Sequence, residues 1–251
     1  MSLDYSHLFK SFNKVDLNAI KNVSLMSRVD EKFAFHESKL FDILNQLTKH
    51  YNILLINNKM VQDYHTLYLD TDDRLFFHQH HNGNYARNKV RFRKYVDSGL
   101  CFLEIKHKNN KKMTIKKRIQ VDSIPDKNLT SVQKDYIDSI LEQNNTLISQ
   151  QTICFHRMTF VHNNNLERLT IDINLSYSHK NQKGEFKNLV IAELKKGKFQ
   201  PTSDFKKILK KHNINPLRLS KYCMTTLMLD KSVKYNRFKE KLLLINKIIK
   251  P

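Results

Sequence analysis

The segment Arg87-Asn88-Lys89-Val90-Arg91-Phe92-Arg93-Lys94-Tyr95 puts four cations, Arg87, Lys89, Arg91 and Arg93, on one parity and Val90 and Phe92 on the other. Successive side chains of a β-strand point to opposite faces, so a strand here presents a file of like charges on one side. The alternation recurs along the chain. Arg28, Asp30 and Lys32 oppose Val29, Glu31 and Phe33, while Glu104, Lys106 and Lys108 oppose Leu103 and Ile105. Thr114, Lys116 and Arg118 oppose Ile115 and Ile119, Arg168, Thr170 and Asp172 oppose Leu169 and Ile171, and Glu193 with Lys195 flanks Leu194. Adjacent like charges on a sheet repel, and an ordinary solvated face avoids them. Six such strands predict an α+β domain built on an antiparallel closed β-barrel with a charged, wet lumen, its helices packed outside and at the ends.

Total charge says less than position. Lys+Arg 44 against Asp+Glu 24 gives a formal net charge of +20. Coding rich in A and T favours Lys, Asn and Ile and would scatter surface lysines with no function. It does not place them at one parity. Residues 1–251 suffice for a single domain: a helical lead-in over 1–24, strands with inserted helices over 25–200, and C-terminal helices over 201–251. Leu40, Ile43, Leu44 and Leu47 make a helical stripe in 37–50, and 126–144, 203–212, 220–229 and 235–249 also read as helical. The tail over 235–249 is basic and amphipathic; its Leu242, Leu243 and Ile245 are expected on the barrel wall, with contact to an anionic membrane or a membrane-protein partner as the alternative. No stretch approaches the roughly 20 apolar residues of a membrane span. The first residues lack a basic and then apolar leader, and Cys101, Cys154 and Cys223 lie far apart without CxxC spacing. A reduced, cytoplasmic protein is the expectation. His78, His80 and His81, beside Asn82-Gly83, read as a solvated turn after a short helix, and the cysteines as structural residues without a base partner.

The residue types on the charged faces suit phosphate. Arginine offers a planar fork to phosphate oxygens, and lysine adds a compact point charge. The carboxylates among them, Glu193 and Glu104 first, suit a divalent cation bridging carboxylate and phosphate, or internal salt bridges. Nucleic acid is disfavoured: single-strand readers interleave aromatics with cations, and here Tyr95 is the exception.

These motifs resemble the VTC domain, the polyphosphate polymerase domain of the vacuolar transporter chaperone and its bacterial relatives, within the triphosphate tunnel metalloenzymes. The matching segments, in family order, are Arg28-Val29-Asp30-Glu31-Lys32-Phe33, Thr66 to Thr71, Lys89 to Tyr95, Phe102 to Lys106, Lys116-Lys117-Arg118, His156-Arg157, Arg168 to Asp172, Ala192 to Lys195 and Ser220-Lys221-Tyr222. The resemblance implies a tunnel that takes ATP, polyphosphate or triphosphate with Mn2+ or Mg2+. It implies catalytic roles for Lys32, Arg91, Arg93, Lys106 and Lys221. Phosphate contacts would come from Arg28, Arg87, Lys89, Lys116, Arg118, Arg157, Arg168, Lys195, Arg218 and Ser220, and metal contacts from Glu193, Glu104, Asp30 and Asp172. The wider superfamily opens with Glu-x-Glu-x-Lys, where this chain has Arg28 and Asp30 at the Glu places, a departure that points to the VTC branch. Three activities are the expectations: transfer of the ATP γ-phosphate to a growing polyphosphate, hydrolysis of a triphosphate, or polyphosphate binding without turnover.

Overall fold

The computed structural model describes residues 5–22, 28–111, 113–141, 145–200 and 202–250. The lead-in holds two short helices, α1 (Ser6–Lys10) and α2 (Leu17–Asn22), around a two-residue strand β1 (Lys14–Val15). That strand is an addition to the helical expectation, and it pairs in parallel with β3 (Tyr51–Leu54). Between them lie β2 (Arg28–His36) and α3 (Leu40–Leu47). The predicted stripe of α3, Leu40, Ile43, Leu44 and Leu47, is fully buried. Next come β4 (Val61–Asp70), α4 (Leu75–Asn82), β5 (Arg87–Tyr95), β6 (Cys101–Lys108) and β7 (Thr114–Val121). The chain continues with α5 (Ser131–Leu141), β8 (Ile148–His162), β9 (Glu167–His179), β10 (Gln182–Phe186), β11 (Leu189–Gly197), α6 (Asp204–Lys211), α7 (Lys221–Leu229) and α8 (Lys239–Ile249).

The strands form one sheet in the order β2-β11-β9-β8-β4-β5-β6-β7, with β3 and β10 added at β8 and β9. The pairs along this path are antiparallel. The expectation of a closed barrel is corrected here: among the described residues the path ends at β2 and β7 without pairing them. β7 is a mostly exposed edge ribbon whose apolar residues Ile119 and Val121 pack toward the α5 side, so nothing apolar is directed at β2.

Most of the inner strands bury an apolar parity outward beneath helices. Phe33, Phe35, Phe160, Leu169, Ile171, Val190 and Leu194 pack with α3 and with Phe205, Ile208 and Leu209 of α6. Leu67, Leu69, Val90, Phe92, Leu103 and Ile105 pack with Ile137 and Leu141 of α5. A third core lies on the channel side of the sheet. There Ile153, Phe155, Leu175, Tyr177 and Ile191 meet Tyr222, Cys223, Met224 and Leu227 of α7 and fill one end. This is where the strand faces stop being charged.

Two irregularities switch that parity. β8 shifts register between Cys154 and His156, and Asn174 on β9 adopts a left-handed φ of 53°. An extra residue re-aims the side chains beyond it, so Phe155 and Arg157 share the channel with Asp172 as well as with Leu175 and Tyr177. The hairpin to β10 was not legible, because Gln182-Lys183-Gly184-Glu185 lacks apolar alternation. Gly184 is needed there: a Cβ would come within 2.6 Å of the Tyr177 hydroxyl. Missed as well was the extent of α4. Its residues include His78, His80 and His81, so these sit in the helix rather than in a solvated turn, and His81 is buried. Gly83 at φ 78° then caps the helix, a left-handed position that suits glycine. The C-terminal helix α8 fixes Ile245 fully, but Leu243 is 61% exposed, contrary to its expected place on the wall.

Candidate functional site

Three carboxylates organise the channel, each bracketed by two or more cations. Glu104 on β6 accepts from Arg91 Nε at 2.8 Å, with Arg91 Nη2 at 2.6 Å, Lys116 Nζ at 2.9 Å and Arg93 Nη1 at 3.8 Å. Asp172 on β9 accepts a two-pronged pair from Arg157 at 2.6 and 2.8 Å and a further bond from Lys221. Glu193 on β11 accepts from Lys32 Nζ at 2.7 Å, with Lys195 at 3.8 Å. Lys195 also lies 4.0 Å from Asp30. Lys89 donates to the Ser220 hydroxyl at 2.8 Å. That hydroxyl also accepts from Cys223 N as the N-cap of α7, so the helix start is tied to the β5 cations. Lys106 stands across from Lys89 in the β5–β6 register. Among the described residues, nine cations of these clusters therefore meet four carboxylates.

The electrostatics reflect that imbalance. Burial alone would raise Glu104, but Arg91, Arg93 and Lys116 outweigh it and hold the carboxyl well below the usual range. Glu193 is likewise held low against burial by Lys195 and Lys32, and Asp172 by Arg157 and Lys221. Burial pulls Lys89 and Lys221 below the ordinary lysine value. Lys106, although open to channel solvent, is pulled down to about 8, first by the protein around it and then by Lys89 and Lys32. Even the Tyr68 phenol is shifted downward, because Arg91, Arg93 and Lys89 outweigh burial, and it accepts from Arg91 Nη1 at 3.2 Å. Glu104, Glu193, Asp172 and Tyr68 thus report a positive field.

Some buried polar atoms on the channel face lack a partner. Thr66 Oγ1 on β4, Thr170 Oγ1 on β9 and Arg93 Nε are in this state. Buried donors are normally paired, so these are poised for an acceptor from outside the chain. Thr66 faces Arg93 across β4–β5, and Thr170 faces Glu193 across β9–β11.

The predicted residues divide cleanly. Lys32, Lys89, Arg91, Arg93, Lys106, Lys116, Arg157, Lys195, Ser220 and Lys221 converge. Arg168 joins them by register, opposite Lys195. Arg87 turns to the rim and donates to the Asn84 carbonyl at 3.0 Å. Arg118 is exposed and lies 4.7 Å from the Phe102 ring centroid. Arg218 is exposed in the segment beside β2, where Leu217 N donates to the Lys32 carbonyl. It joins none of the three clusters. The Arg28 side chain lies outside the described residues. Asp70 lies off the charged clusters and accepts from Phe76 N at 2.8 Å, Phe77 N at 3.0 Å and the Tyr222 hydroxyl at 2.5 Å, which latches α4 and α7 together. Cys223, expected to have no base partner, has its Sγ 3.1 Å from His80 Nδ1.

Sequence reasoning also undercounted the aromatics. Phe155, Tyr64, Tyr95 and Phe102 form a file along the channel, with successive ring centroids 5.1, 5.0 and 6.0 Å apart. Arg157 lies 4.8 Å and Arg93 5.5 Å from the Tyr64 centroid, and Lys221 4.7 Å from that of Phe155. A signal existed. Tyr64, Thr66 and Tyr68 share one parity of β4, but that strand carries no cation to mark the face.

The VTC domain family matches residues 27–229, most of the chain. The chain belongs to the VTC domain family. A comparison with curated proteins gives no match. Among solved structures, similarity is found to a proposed adenylate cyclase from Bacillus halodurans (13% identity, TM-score 0.45, covering 84% of this chain and 97% of that one). It is also found to a Pyrococcus horikoshii protein (10%, 0.43, 81% and 99%) and to a proposed adenylyl cyclase from Hippeastrum described as having a dominant triphosphatase activity (10%, 0.42, 78% and 93%).

The donor set of this VTC domain fits a shared cation better than a resident one. Among the described residues no three His, Cys, Asp or Glu side chains gather. Glu104 and Asp172, both in the predicted metal set, have their oxygens taken by Arg91 and Lys116 and by Arg157 and Lys221. Glu193, whose Oε1 meets Lys32 and Lys195, and Asp30 both border Lys195. Mg2+ and Mn2+ accept such a pair when phosphate oxygens and water complete the shell. No helix among the described residues is long and apolar enough to cross a membrane.

Proposed function

We propose that this VTC domain is a metal-dependent phosphotransferase that holds the phosphates of ATP or polyphosphate in its channel and passes the ATP γ-phosphate to a growing polyphosphate chain. One observation carries the reading. Among the described residues, nine cations are gathered on one side of the curved sheet and at the start of α7 around only four carboxylates, with Arg93 Nε, Thr66 Oγ1 and Thr170 Oγ1 left without acceptors. Holding like charges together at low dielectric is costly, and a multivalent anion removes that cost.

Phosphoryl transfer asks for alignment and charge neutralisation rather than a covalent nucleophile. In this reading Arg91, Arg93, Lys106 and Lys116 grip one stretch of the phosphate chain, and Arg157, Arg168, Lys32 and Lys195 the stretch facing it. Lys221 and Ser220, fixed at the start of α7, meet the phosphate that reaches the apolar end. A divalent cation shared between Glu193, Asp30 and phosphate oxygens would neutralise charge on the transferring group. Dual ion pairs keep the gripping side chains in place before substrate arrives, so little ordering is left to do on binding.

The test is incubation of the purified protein with ATP and Mn2+ or Mg2+, with products resolved on a gel. A ladder of long phosphate polymer supports the proposal, and Arg91→Ala is expected to remove it. Free phosphate without polymer would make the protein a triphosphatase, and tight binding without any turnover a polyphosphate-binding module. Binding itself has an expected pH profile. Burial, with Lys89 and Lys32 beside it, pulls Lys106 down to about 8. Affinity for tripolyphosphate is therefore expected to fall as pH rises from 7 to 9.5, by up to about tenfold for one charge contact near 1.4 kcal/mol. Lys106→Arg, which stays charged, is expected to flatten that profile in a calorimetric titration.

A further inference from the structure

Tyr95 and Phe102 stand apart from every other large aromatic on the channel side. Both are half-buried, and neither belongs to any of the three hydrophobic cores. They end the aromatic file at its solvent-reaching side, whereas Phe155 at the other end is buried. Burying rings in a core is the ordinary use of Phe, and a Phe held on a charged face without a core gains nothing from it. Phe102 is also placed between two polar neighbours. Arg93 is its cross-strand partner on β5, and Gln120 its partner on β7. Arg93 belongs to the phosphate grip, and Gln120 is exposed. Arg118 covers the ring and forms no ion pair among the described residues.

We propose that Phe102 and Tyr95, with Arg118 and Gln120, form a nucleobase subsite at the channel mouth, so that the donor is recognised as a nucleoside triphosphate and not merely as a phosphate chain. The inference rests on the channel reading above and deepens it. A planar base stacks on an aromatic face or a guanidinium plane irrespective of its identity. The Gln120 amide offers a donor and an acceptor to a base edge. Arg93, one strand over, then takes the first phosphates, and Arg91 lies two residues, roughly 7 Å, further in. The order base, then phosphates, runs from mouth to interior.

The experiment is a calorimetric titration of the full chain with three ligands: ATP, ribose 5-triphosphate, which lacks the base, and tripolyphosphate. Wild type is expected to bind ATP more tightly than ribose 5-triphosphate by about tenfold, within the range measured for one base–aromatic stack. Phe102→Leu is expected to erase that difference while its affinity for tripolyphosphate stays within about twofold. Gln120→Ala, at an exposed position that does not threaten folding, is expected to narrow the ATP advantage in the same direction. Equal wild-type affinity for ATP and ribose 5-triphosphate overturns the inference, whatever the variants do. So does a Phe102→Leu variant that weakens all three ligands alike, since the ring would then only support the channel wall. If wild type binds none of the three, the channel reading itself fails, a result distinct from either of these.

Discussion

Asp172→Asn is expected to lower the melting temperature by on the order of 10 °C in phosphate-free buffer, and tripolyphosphate is expected to restore much of the loss. Asp172 is 3% exposed and accepts from both prongs of Arg157 and from Lys221. Removing one partner of a buried pair typically costs about 3–5 kcal/mol, because the remaining charges stay buried and unmatched. In a protein of this size each kcal/mol moves the melting point by roughly 2–4 °C. A polyanion in the channel supplies the missing negative charge, so the deficit shrinks as ligand is added. Differential scanning calorimetry with and without tripolyphosphate checks both halves. A variant as unstable with ligand as without it would show that Asp172 serves the fold and not a phosphate-shaped site. The pH dependence has a definite sign. The folded pKa of Asp172 lies below its unfolded value near 3.9, so its contribution is complete above about pH 5 and drains away as pH falls through the folded value. Wild type and Asp172→Asn are therefore expected to converge in strong acid.

Glu193→Gln is expected to reduce turnover of ATP by at least about a hundredfold while tripolyphosphate binds as tightly as before, or more tightly. The carboxylate pairs with Lys32 and Lys195. Its loss frees two cations for the ligand, so affinity has no reason to fall. Turnover has one, since losing a group that acts only on the transition-state charge lowers rate and leaves binding, and such a loss is commonly worth about 10²–10³. Parallel measurement of binding and product formation separates the two effects. Loss of binding in step with turnover would assign Glu193 to holding the channel together, and undiminished turnover would remove it from the chemistry altogether.

Much of the site was legible because strand parity is a rigid rule. Arg87 to Arg93, Glu104 to Lys108, Arg168 to Asp172 and Glu193 to Lys195 had to fall on single faces once their apolar partners were buried outward. The helix stripe of α3 was equally readable, as its four apolar residues leave one way to bury them. Other features were hidden for identifiable reasons. The left-handed residue Asn174 and the β8 register shift change which parity faces the channel, and neither leaves a mark in composition. The latch of Asp70 to Tyr222 joins residues 152 positions apart. Cys223 meets His80 only because α7 packs against α4.

Local order thus set the alternation, and with it the fact that many cations would share one side of a sheet and need an anion there. Which carboxylate matches which cation, where the apolar end begins and which aromatic rings reach the mouth were decided by long-range register and by the docking of α7. The sheet's open edges belong to the same group, since whether β7 meets β2 depends on burial across distant strands rather than on anything written within either one. Parity is a property of neighbouring bonds, whereas closure, pairing and partner choice are properties of the packed whole.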